Sequence, residues 1–545
     1  MPDHTPTRPS RLLILALAAG FALAYTQAPL FYSNQNQYLL HGFALAGYGR
    51  LADDWLANTH DPTPVFSLLV AALYTVGGGF AIQAAFFLLL MAYFIGFWRL
   101  VEARIGPRIV PFAAIFTAAH AAIFRVASVR LIGLDYPWFL QCGLANQYLL
   151  GPGLQPSAFG VLLVFSAAAF ARGRPLWAAF LAALAADIHA TYLLPAALLT
   201  LGYAAALLRE RRVRGAIIVG AVSLVAVIPM MSYLWLAFPP ADRETFAAAQ
   251  HMLATVRIPH HAQVSRWFDW IAVTQLAWVA LGWRAGGVSP LILDSPGKNQ
   301  GAYAPRSPSL RFALSIAATL ALLLSAIQIV TGNDTLALLF PWRISALLVP
   351  LATAIVAAKL AASQRYAVAA TLLAIVVLAV EIGGGLFVMA RGLGYQQNRD
   401  ELPMMQYVRE HAGPGDVYLV PTRIPPSKGK RGVPSTSFMS PPRLQPGSQF
   451  IPVDLQRFRL ETGTPIYVDF KSVPYAAGEV LEWLRRVEQV QKWYDDRDWN
   501  RPKLREDLRK EGITHVVAAR QQPLKAEFLV PEYQDKWYVV YRVKP

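Results

Sequence analysis

Long apolar runs constrain this 545-residue chain more than any other feature. A membrane-spanning helix needs roughly 20 apolar residues at a rise of ~1.5 Å each. Only 15% of the residues are charged, whereas soluble domains carry about 25%. The sequence therefore predicts a polytopic α-helical membrane protein with apolar runs at 12–30, 65–98, 109–126, 157–171, 175–208, 215–238, 269–283, 312–330, 344–358 and 366–390.

Two of these runs are too long for one span, and each contains an interruption. The run 65–98 contains "VGGG" at Val76–Gly79, so we expect a short helix followed by a full span. The run 175–208 contains "ADIHATY" at Ala186–Tyr192, which predicts two short helices. The first run has no A-x-A-like cleavage site, which favours an uncleaved helix over a signal peptide. The total is about 11 transmembrane helices.

Lysine and arginine are distributed unevenly between the two sides of this arrangement. With a cytoplasmic N-terminus, seventeen of them before residue 392 fall on the cytoplasmic side and eight on the other. Cytoplasmic loops are enriched in these residues, so we expect a multi-pass protein of the bacterial inner membrane. The same loops account for the formal charge of +16 without any nucleic-acid partner.

The composition changes near residue 391, which divides the chain into a transmembrane domain, 1–391, and a domain at 392–545. The second part contains four strand-like stretches at 416–421, 465–470, 514–519 and 537–543, and two helix-like stretches at 478–494 and 501–512. Alternating helices and strands predict a small α/β domain. The chosen orientation places this domain in the periplasm, with a long surface loop at 422–449.

The first outer loop contains Asp53 and Asp54, followed by Asp61. Such carboxylates can accept a proton from an attacking hydroxyl or hold a divalent cation such as Mg²⁺ or Mn²⁺. Trp55 and Phe66 nearby indicate a packed interfacial segment. The alternative is a solvated loop whose acidic residues cap helices.

Two further outer clusters are basic and aromatic. "VRIPHHAQVSRWFDW" carries His260 and His261, which could bind a phosphate, ligate a metal or hydrogen-bond a sugar, or belong to a surface loop. "LLFPWRISALLVP" carries Arg343 at the mouth of a span. It is either a snorkelling anchor or a clamp on an anionic headgroup.

Two more segments contain candidate site residues. Asp135 lies in a Gly- and Pro-rich outer segment, 133–157, that could line a substrate groove. Asp187 and His189 lie at membrane depth, where ionisable residues are functional candidates, although a structural pair is an alternative. The single cysteine, Cys142, excludes an intramolecular disulfide. The chain has no P-loop, dinucleotide fingerprint or serine-hydrolase elbow.

Taken together, these features resemble the C-type (GT-C) superfamily of integral membrane glycosyltransferases. "LADDW" at 51–55 matches the acidic first outer loop, and "PWR" at 341–343 is similar to late-span arginines near the lipid phosphate. "YVREHAGPGDVYLVP" at 407–421 looks like the start of the C-terminal domain in bacterial members. The triplet typical of oligosaccharyltransferases is absent, which disfavours N-glycosylation.

The resemblance implies a sugar donor linked to polyprenyl phosphate, with membrane lipids as the other partner. It implies that Asp54 or Asp53 is the catalytic base, and we favour Asp54. Arg343, with His260 or His261, would then bind the departing phosphate, while Asp61 and Asp135 would position sugar hydroxyls. The alternatives are a transporter or flippase, which internal repeats would favour, and a non-catalytic envelope-assembly protein.

The orientation gives a direct prediction. Alkaline phosphatase folds to an active form only outside the cytoplasm, so a fusion after Arg391 should be active in cells, whereas a fusion after Arg211 should be inactive. Activity measured in intact cells and normalised to fusion abundance checks the result. An inactive fusion after Arg391 would contradict the predicted orientation.

Overall fold

The computed structural model describes residues 9–287, 309–364, 366–393, 398–424, 453–496 and 498–544. Helices dominate these ranges. Those of nine or more residues are Arg11–Ala24, Pro64–Ile105, Ile109–Ala118, Ala122–Ile132, Val161–Ala171, Pro175–Ile188, Leu193–Arg209, Val213–Ala237, Arg243–Met252, Trp270–Gly287, Leu310–Thr331, Ser345–Ala362, Ala367–Arg391, Leu402–His411, Ala477–Asp495 and Pro502–Lys510.

Six helical segments in the described ranges are long and apolar enough to cross a membrane: Pro64–Ile105, Ala190–Arg209, Val213–Ala237, Leu310–Thr331, Asp334–Ala362 and Ala367–Arg391. Shorter apolar helices accompany them, among them Arg11–Ala24 and Ile109–Ala118. Many large apolar side chains on these segments are exposed, including Trp235 and Val330, as a lipid environment requires. The predicted polytopic helical class is therefore confirmed, while the count of about 11 helices stays a prediction.

Both predicted interruptions are present. Gly77 and Gly78 depart from helical geometry inside Pro64–Ile105, and Gly78 has φ +57°, which only glycine adopts readily. The second long run is divided into Pro175–Ile188 and Leu193–Arg209 by a short 3-10 turn, Ala190–Tyr192. Glycine and a polar segment thus break apolar runs that hydropathy alone would read as continuous.

The C-terminal part contains a four-stranded sheet whose strands are β1 (Tyr418–Leu419), β2 (His515–Ala519), β3 (Leu529–Gln534) and β4 (Tyr538–Val543). Their order is β1-β2-β4-β3. β1 pairs with β2 in parallel, and β4 runs antiparallel to both of its neighbours. Helices Ala477–Asp495 and Pro502–Lys510 lie close to the predicted positions.

The strand predicted at 465–470 was wrong, because this segment forms only a single bridge between Ile466 and Tyr418. Its backbone groups bind outside the sheet: the Ile466 amide donates to Asp54, and the Asp469 carbonyl accepts from Trp483. β3 was not predicted, since Pro531 interrupts its apolar pattern. Most of the predicted surface loop, 425–449, lies outside the described residues.

The helical part and the C-terminal part interlock through their cores. Leu460 of the C-terminal part is buried in the main core of the membrane helices. Conversely, Ala249 and Met252, on helix Arg243–Met252, are buried in the C-terminal core beside Trp483. The first loop and the segment around 460 therefore have a fixed relation to each other.

Two glycines make this relation possible. A Cβ placed on Gly49 would lie 2.3 Å from the carbonyl oxygen of Gly463. The amide of the next residue, Arg50, donates to that same oxygen at 2.7 Å. Gly49 also has φ +55°. A side chain here would push the first loop away from the C-terminal part.

We expect Gly49→Ala to lower the midpoint of thermal unfolding more than Gly47→Ala. Gly47 is a matched control, because it also has positive φ but nothing lies within 4 Å of its added Cβ. Both variants carry a left-handed strain of about 1 kcal/mol, so the difference isolates the close approach. Unfolding in detergent, followed by tryptophan fluorescence, measures it. Equal midpoints would contradict the tight contact.

Candidate active site

Asp54 has no exposed surface and binds three N–H donors. Its Oδ2 accepts from Arg459 Nε at 2.8 Å and from the Ile466 amide at 3.0 Å. Its Oδ1 accepts from the Leu56 amide at 2.9 Å, which closes a turn of the first loop. Asp54 therefore joins the first loop to the C-terminal part.

Arg459 is shared between two aspartates. Its second ion pair is with Asp469, at 2.7 Å, and the three side chains together are called the Arg459 triad. Asp469 also accepts from the Ser472 amide at 2.6 Å. The triad thus fixes the start of the segment that leads to Lys471 and Tyr475.

Residues 464–475, called the docking segment, lie against the first-loop helix Gln35–Tyr38. Gln37 Nε2 donates to the Tyr475 hydroxyl at 2.8 Å and to the Val473 carbonyl at 3.3 Å. The hydroxyls of Tyr38 and Tyr475 lie 3.4 Å apart. The docking segment thereby brings its basic residue, Lys471, to the first loop.

Three basic side chains, Arg257, Arg343 and Lys471, lie around Tyr38 and His261, whose pKa values they affect, and we call them the cation cluster. Arg257 donates to the Lys471 carbonyl and lies 5.5 Å from the Phe470 ring centroid. Arg343 lies 4.9 Å from the ring centroid of Tyr192. Within the described ranges, none of the three forms an ion pair with a carboxylate.

Burial and nearby charges shift the pKa values of side chains in and around the cation cluster. Burial raises the pKa of Tyr38, and both Arg343 and Arg257 lower it. Burial, and then Arg257, lowers the pKa of Lys471 to about 7. Nε of Arg343 and Nε of Arg257 are buried and have no hydrogen-bond partner among the described residues. Asp469, which pairs with Arg459, raises the pKa values of Arg257 and Lys471 and so offsets part of their charge. Burying positive charge without a direct partner is costly, so the cluster is suited to an anion.

Local backbone geometry positions Arg343. Phe340 has φ +49°, a left-handed conformation in a non-glycine residue, and the 3-10 turn Pro341–Ile344 follows it. Such a residue costs on the order of 1–3 kcal/mol and is retained where the surroundings require it. The turn buries Arg343, which is 8% exposed. Of the two predicted alternatives, this burial disagrees with a snorkelling anchor directed to the lipid, and the clamp on an anionic headgroup stays a prediction.

The two adjacent histidines lie on the short helix Pro259–Ala262. Their ring centroids are 4.1 Å apart. His261 Nδ1 donates to the carbonyl of Ala145 at 2.7 Å. Burial, and then His260, Arg343 and Lys471, lowers the pKa of His261 well below its usual value. His261 is therefore neutral at pH 7 and adjoins the cation cluster.

Of the other predicted site residues, His189 belongs to this region and three carboxylates do not. His189 is buried, and its ring packs edge-on against Tyr38 and Tyr192. Asp53 is exposed. Asp61 accepts from the Thr63 amide at 2.8 Å, and Asp135 pairs with Arg125 at 2.8 Å. Asp135 also accepts from the Trp138 amide and caps the helix Tyr136–Gln141, while Asp61 lies just before the helix Pro64–Ile105.

A metal site stays a prediction. Within the described ranges there is no group of three or more His, Cys, Asp or Glu residues arranged to hold a metal ion. The Asp53–Asp54 pair does not form one, because Asp54 binds Arg459 and Asp53 points to solvent.

Sequence reasoning missed Arg257, Lys471 and Arg459. Arg257 precedes Pro259 in the segment that contains the two histidines, so its proximity to them was a usable signal. Lys471 follows a stretch that looked like an ordinary strand. Arg459 binds Asp54 across 405 positions, and no local pattern predicts such a contact.

A family model matches part of the chain, and solved structures match it over most of its length. Residues 447–490 match a family described as a domain of unknown function, DUF6798. No curated protein matches the chain. Among solved structures, ArnT from Cupriavidus metallidurans, crystallised with undecaprenyl phosphate, is similar with a TM-score of 0.39 and 12% identity over 97% of each chain.

Asp54→Asn should destabilise the protein by about 3–5 kcal/mol, the usual effect of breaking a buried ion pair. Asp53→Asn is the matched control, because Asp53 is exposed, and a surface change of this kind stays within about 0.5 kcal/mol. Denaturant unfolding in detergent measures both. An Asp54→Asn protein as stable as the Asp53→Asn protein would contradict the structural role of the triad.

Proposed function

We propose that this protein transfers a sugar from a polyprenyl-phosphate donor to an acceptor hydroxyl at the periplasmic face of the bacterial inner membrane. One observation carries the proposal: three basic side chains without carboxylate partners in the described ranges converge beside tyrosine and histidine rings. The sugar donor is a phosphate diester with one negative charge, and the lipid phosphate released by the transfer is a monoester with about −1.5 to −2 charges. Either form would offset the cost of burying these cations.

The cation cluster would act on the leaving group. When the bond between the anomeric carbon and the phosphate oxygen breaks, negative charge develops on the phosphate. Donors already directed at that charge stabilise the transition state without reorganisation. Arg343 and Arg257 supply buried guanidinium groups, which match phosphate oxygens in geometry. Lys471 adds a third charge, which is strongest below pH 7.

Tyrosine and histidine side chains beside the cation cluster would bind the sugar and the phosphate head. The hydroxyls of Tyr38 and Tyr475 lie beside the docking segment and can hydrogen-bond sugar hydroxyls. His189, between Tyr38 and Tyr192, has a buried Nδ1 without a partner in the described chain. We propose that the phosphate head lies between these rings and the cation cluster.

Asp54 and Asp53 were predicted as alternative catalytic bases. The contacts of Asp54 support a positioning role: through Arg459 and Asp469 it holds the docking segment, and therefore Lys471, in place. Both acceptor oxygens of Asp54 are occupied by N–H donors. We therefore propose that Asp54 acts through the site geometry rather than on the acceptor hydroxyl.

A transporter or flippase is the second candidate, and Glu381 is the observation that favours it. Glu381 lies inside Ala367–Arg391, has no exposed surface, and its two carboxylate oxygens have no partner in the described chain. Ionisable groups at membrane depth often mark transport pathways. Turnover of a labelled lipid-linked sugar by purified protein supports the transferase, whereas lipid movement between leaflets without turnover supports the flippase.

Arg343→Gln should weaken binding of undecaprenyl phosphate by roughly 10- to 100-fold, because a hydrogen bond to a charged group contributes about 1.5–3 kcal/mol. Arg130→Gln, which changes an exposed arginine outside the cluster, should leave the affinity unchanged. Titration of each variant in nanodiscs with the lipid, followed by tryptophan fluorescence, measures the effect. Equal affinities for the two variants would contradict the assignment of the cluster.

A further inference from the structure

The proposed transfer needs a group that takes the proton of the acceptor hydroxyl, and the carboxylates that the structure describes near the first loop and the docking segment are either paired or exposed. Asp54 and Asp469 both bind Arg459. Asp53 is exposed on the first loop, and Glu479 pairs with His60 at 2.6 Å. The proton acceptor has to be another kind of side chain.

We propose that His261 is the general base, with Nε2 as the atom that takes the proton. This inference rests on the proposed transferase function. Because the Ala145 carbonyl can only accept a hydrogen bond, His261 Nδ1 must carry the proton of the neutral ring. Nε2 is then an acceptor, and His261 makes no other hydrogen bond within the described residues.

The backbone that holds the tautomer is strained. Ala145 and Asn146 are consecutive non-glycine residues with φ +55° and +54°. The Leu144 amide donates to Ser345 Oγ at 2.8 Å, which ties this turn to the helix that follows Arg343. Strain of this kind persists where surrounding contacts fix it, and it is common at functional sites. Here it directs the Ala145 carbonyl at His261.

The other histidines of the region lack this arrangement. The His260 ring contacts the His261 ring at a tilt of 48°, but His260 makes no orienting hydrogen bond in the described chain. His189 has a buried and unpartnered Nδ1. A histidine that acts as a base needs a fixed tautomer with its free nitrogen towards the reacting group, and His261 has the fixed tautomer.

The proposed step couples the formation of one bond to the cleavage of another. The acceptor oxygen forms a bond to the anomeric carbon while the bond from that carbon to the phosphate oxygen breaks. The bonding electron pair leaves with the phosphate, which Arg343 and Lys471 stabilise. The hydroxyl proton passes to Nε2 of His261 and is then released to water. The basic groups that face His261 are His260, Arg343 and Lys471. A positive charge on any of them favours the neutral form of His261.

The test uses the full chain in lipid nanodiscs, a panel of radiolabelled undecaprenyl-phosphate hexoses and pentoses, and water as the acceptor. His261→Gln should lower kcat by roughly 10²- to 10⁴-fold, the usual loss of general-base assistance. Binding of undecaprenyl phosphate, measured separately, should be retained. His251→Gln is the matched control: His251 is exposed and pairs with Asp334 outside the site, so its kcat should equal that of the wild type.

Two further readouts separate a base from a structural residue. The wild-type kcat should fall as the pH drops through the pKa of His261, and the variant should lack this limb. Imidazole in the medium should restore part of the activity of His261→Ala. If the wild type is active and the His261→Gln variant is fully active, His261 is not the base, while the proposed transferase function still stands. A wild type inactive on every donor overturns the proposed function and this inference with it.

Discussion

The guanidinium of Arg459, held between two aspartates without access to water, is the interaction on which the rest of the structure depends. Arg459 is 2% exposed and bridges Asp54 of the first loop to Asp469. Removing any one charge would leave the others buried and incompletely paired. The triad therefore fixes the docking segment against the first-loop helix Gln35–Tyr38, and Lys471 reaches the cation cluster as a result.

The Arg459 triad and the cation cluster differ in how their buried charges are paired. In the triad each charge has an opposite charge within hydrogen-bond distance. In the cluster, Arg257 and Arg343 are also buried, yet within the described ranges they contact aromatic rings and a carbonyl rather than carboxylates. Fold stability does not require such an arrangement. Under the proposed function an anionic ligand would supply the missing charge, and the turn after the left-handed residue Phe340 would hold Arg343 in place for it.

Local features of the sequence were predictable, and long-range contacts were not. The break at Gly77 and Gly78 followed from glycine in an apolar run, and β2 and β4 followed from their β-branched and aromatic residues. The segment after Pro465 looked like a strand, but its backbone binds Asp54 and Trp483 instead. Arg343, His189 and the histidine pair were predicted as site residues from the positions of their segments relative to the spans, and their roles stay proposals. The partner of Asp54, by contrast, lies 405 positions away, and no local pattern in the sequence indicates this contact.

The most direct test of the account is electron cryo-microscopy of the full chain in nanodiscs that contain undecaprenyl phosphate. We predict density for the phosphate within hydrogen-bond distance of Arg343, with Arg257 and Lys471 on the other sides of the phosphate. Density for the isoprenoid chain should extend from the phosphate between apolar helices. Density for the phosphate at another place, with the three cations still free of it, would contradict the central claim that this cluster binds the lipid phosphate.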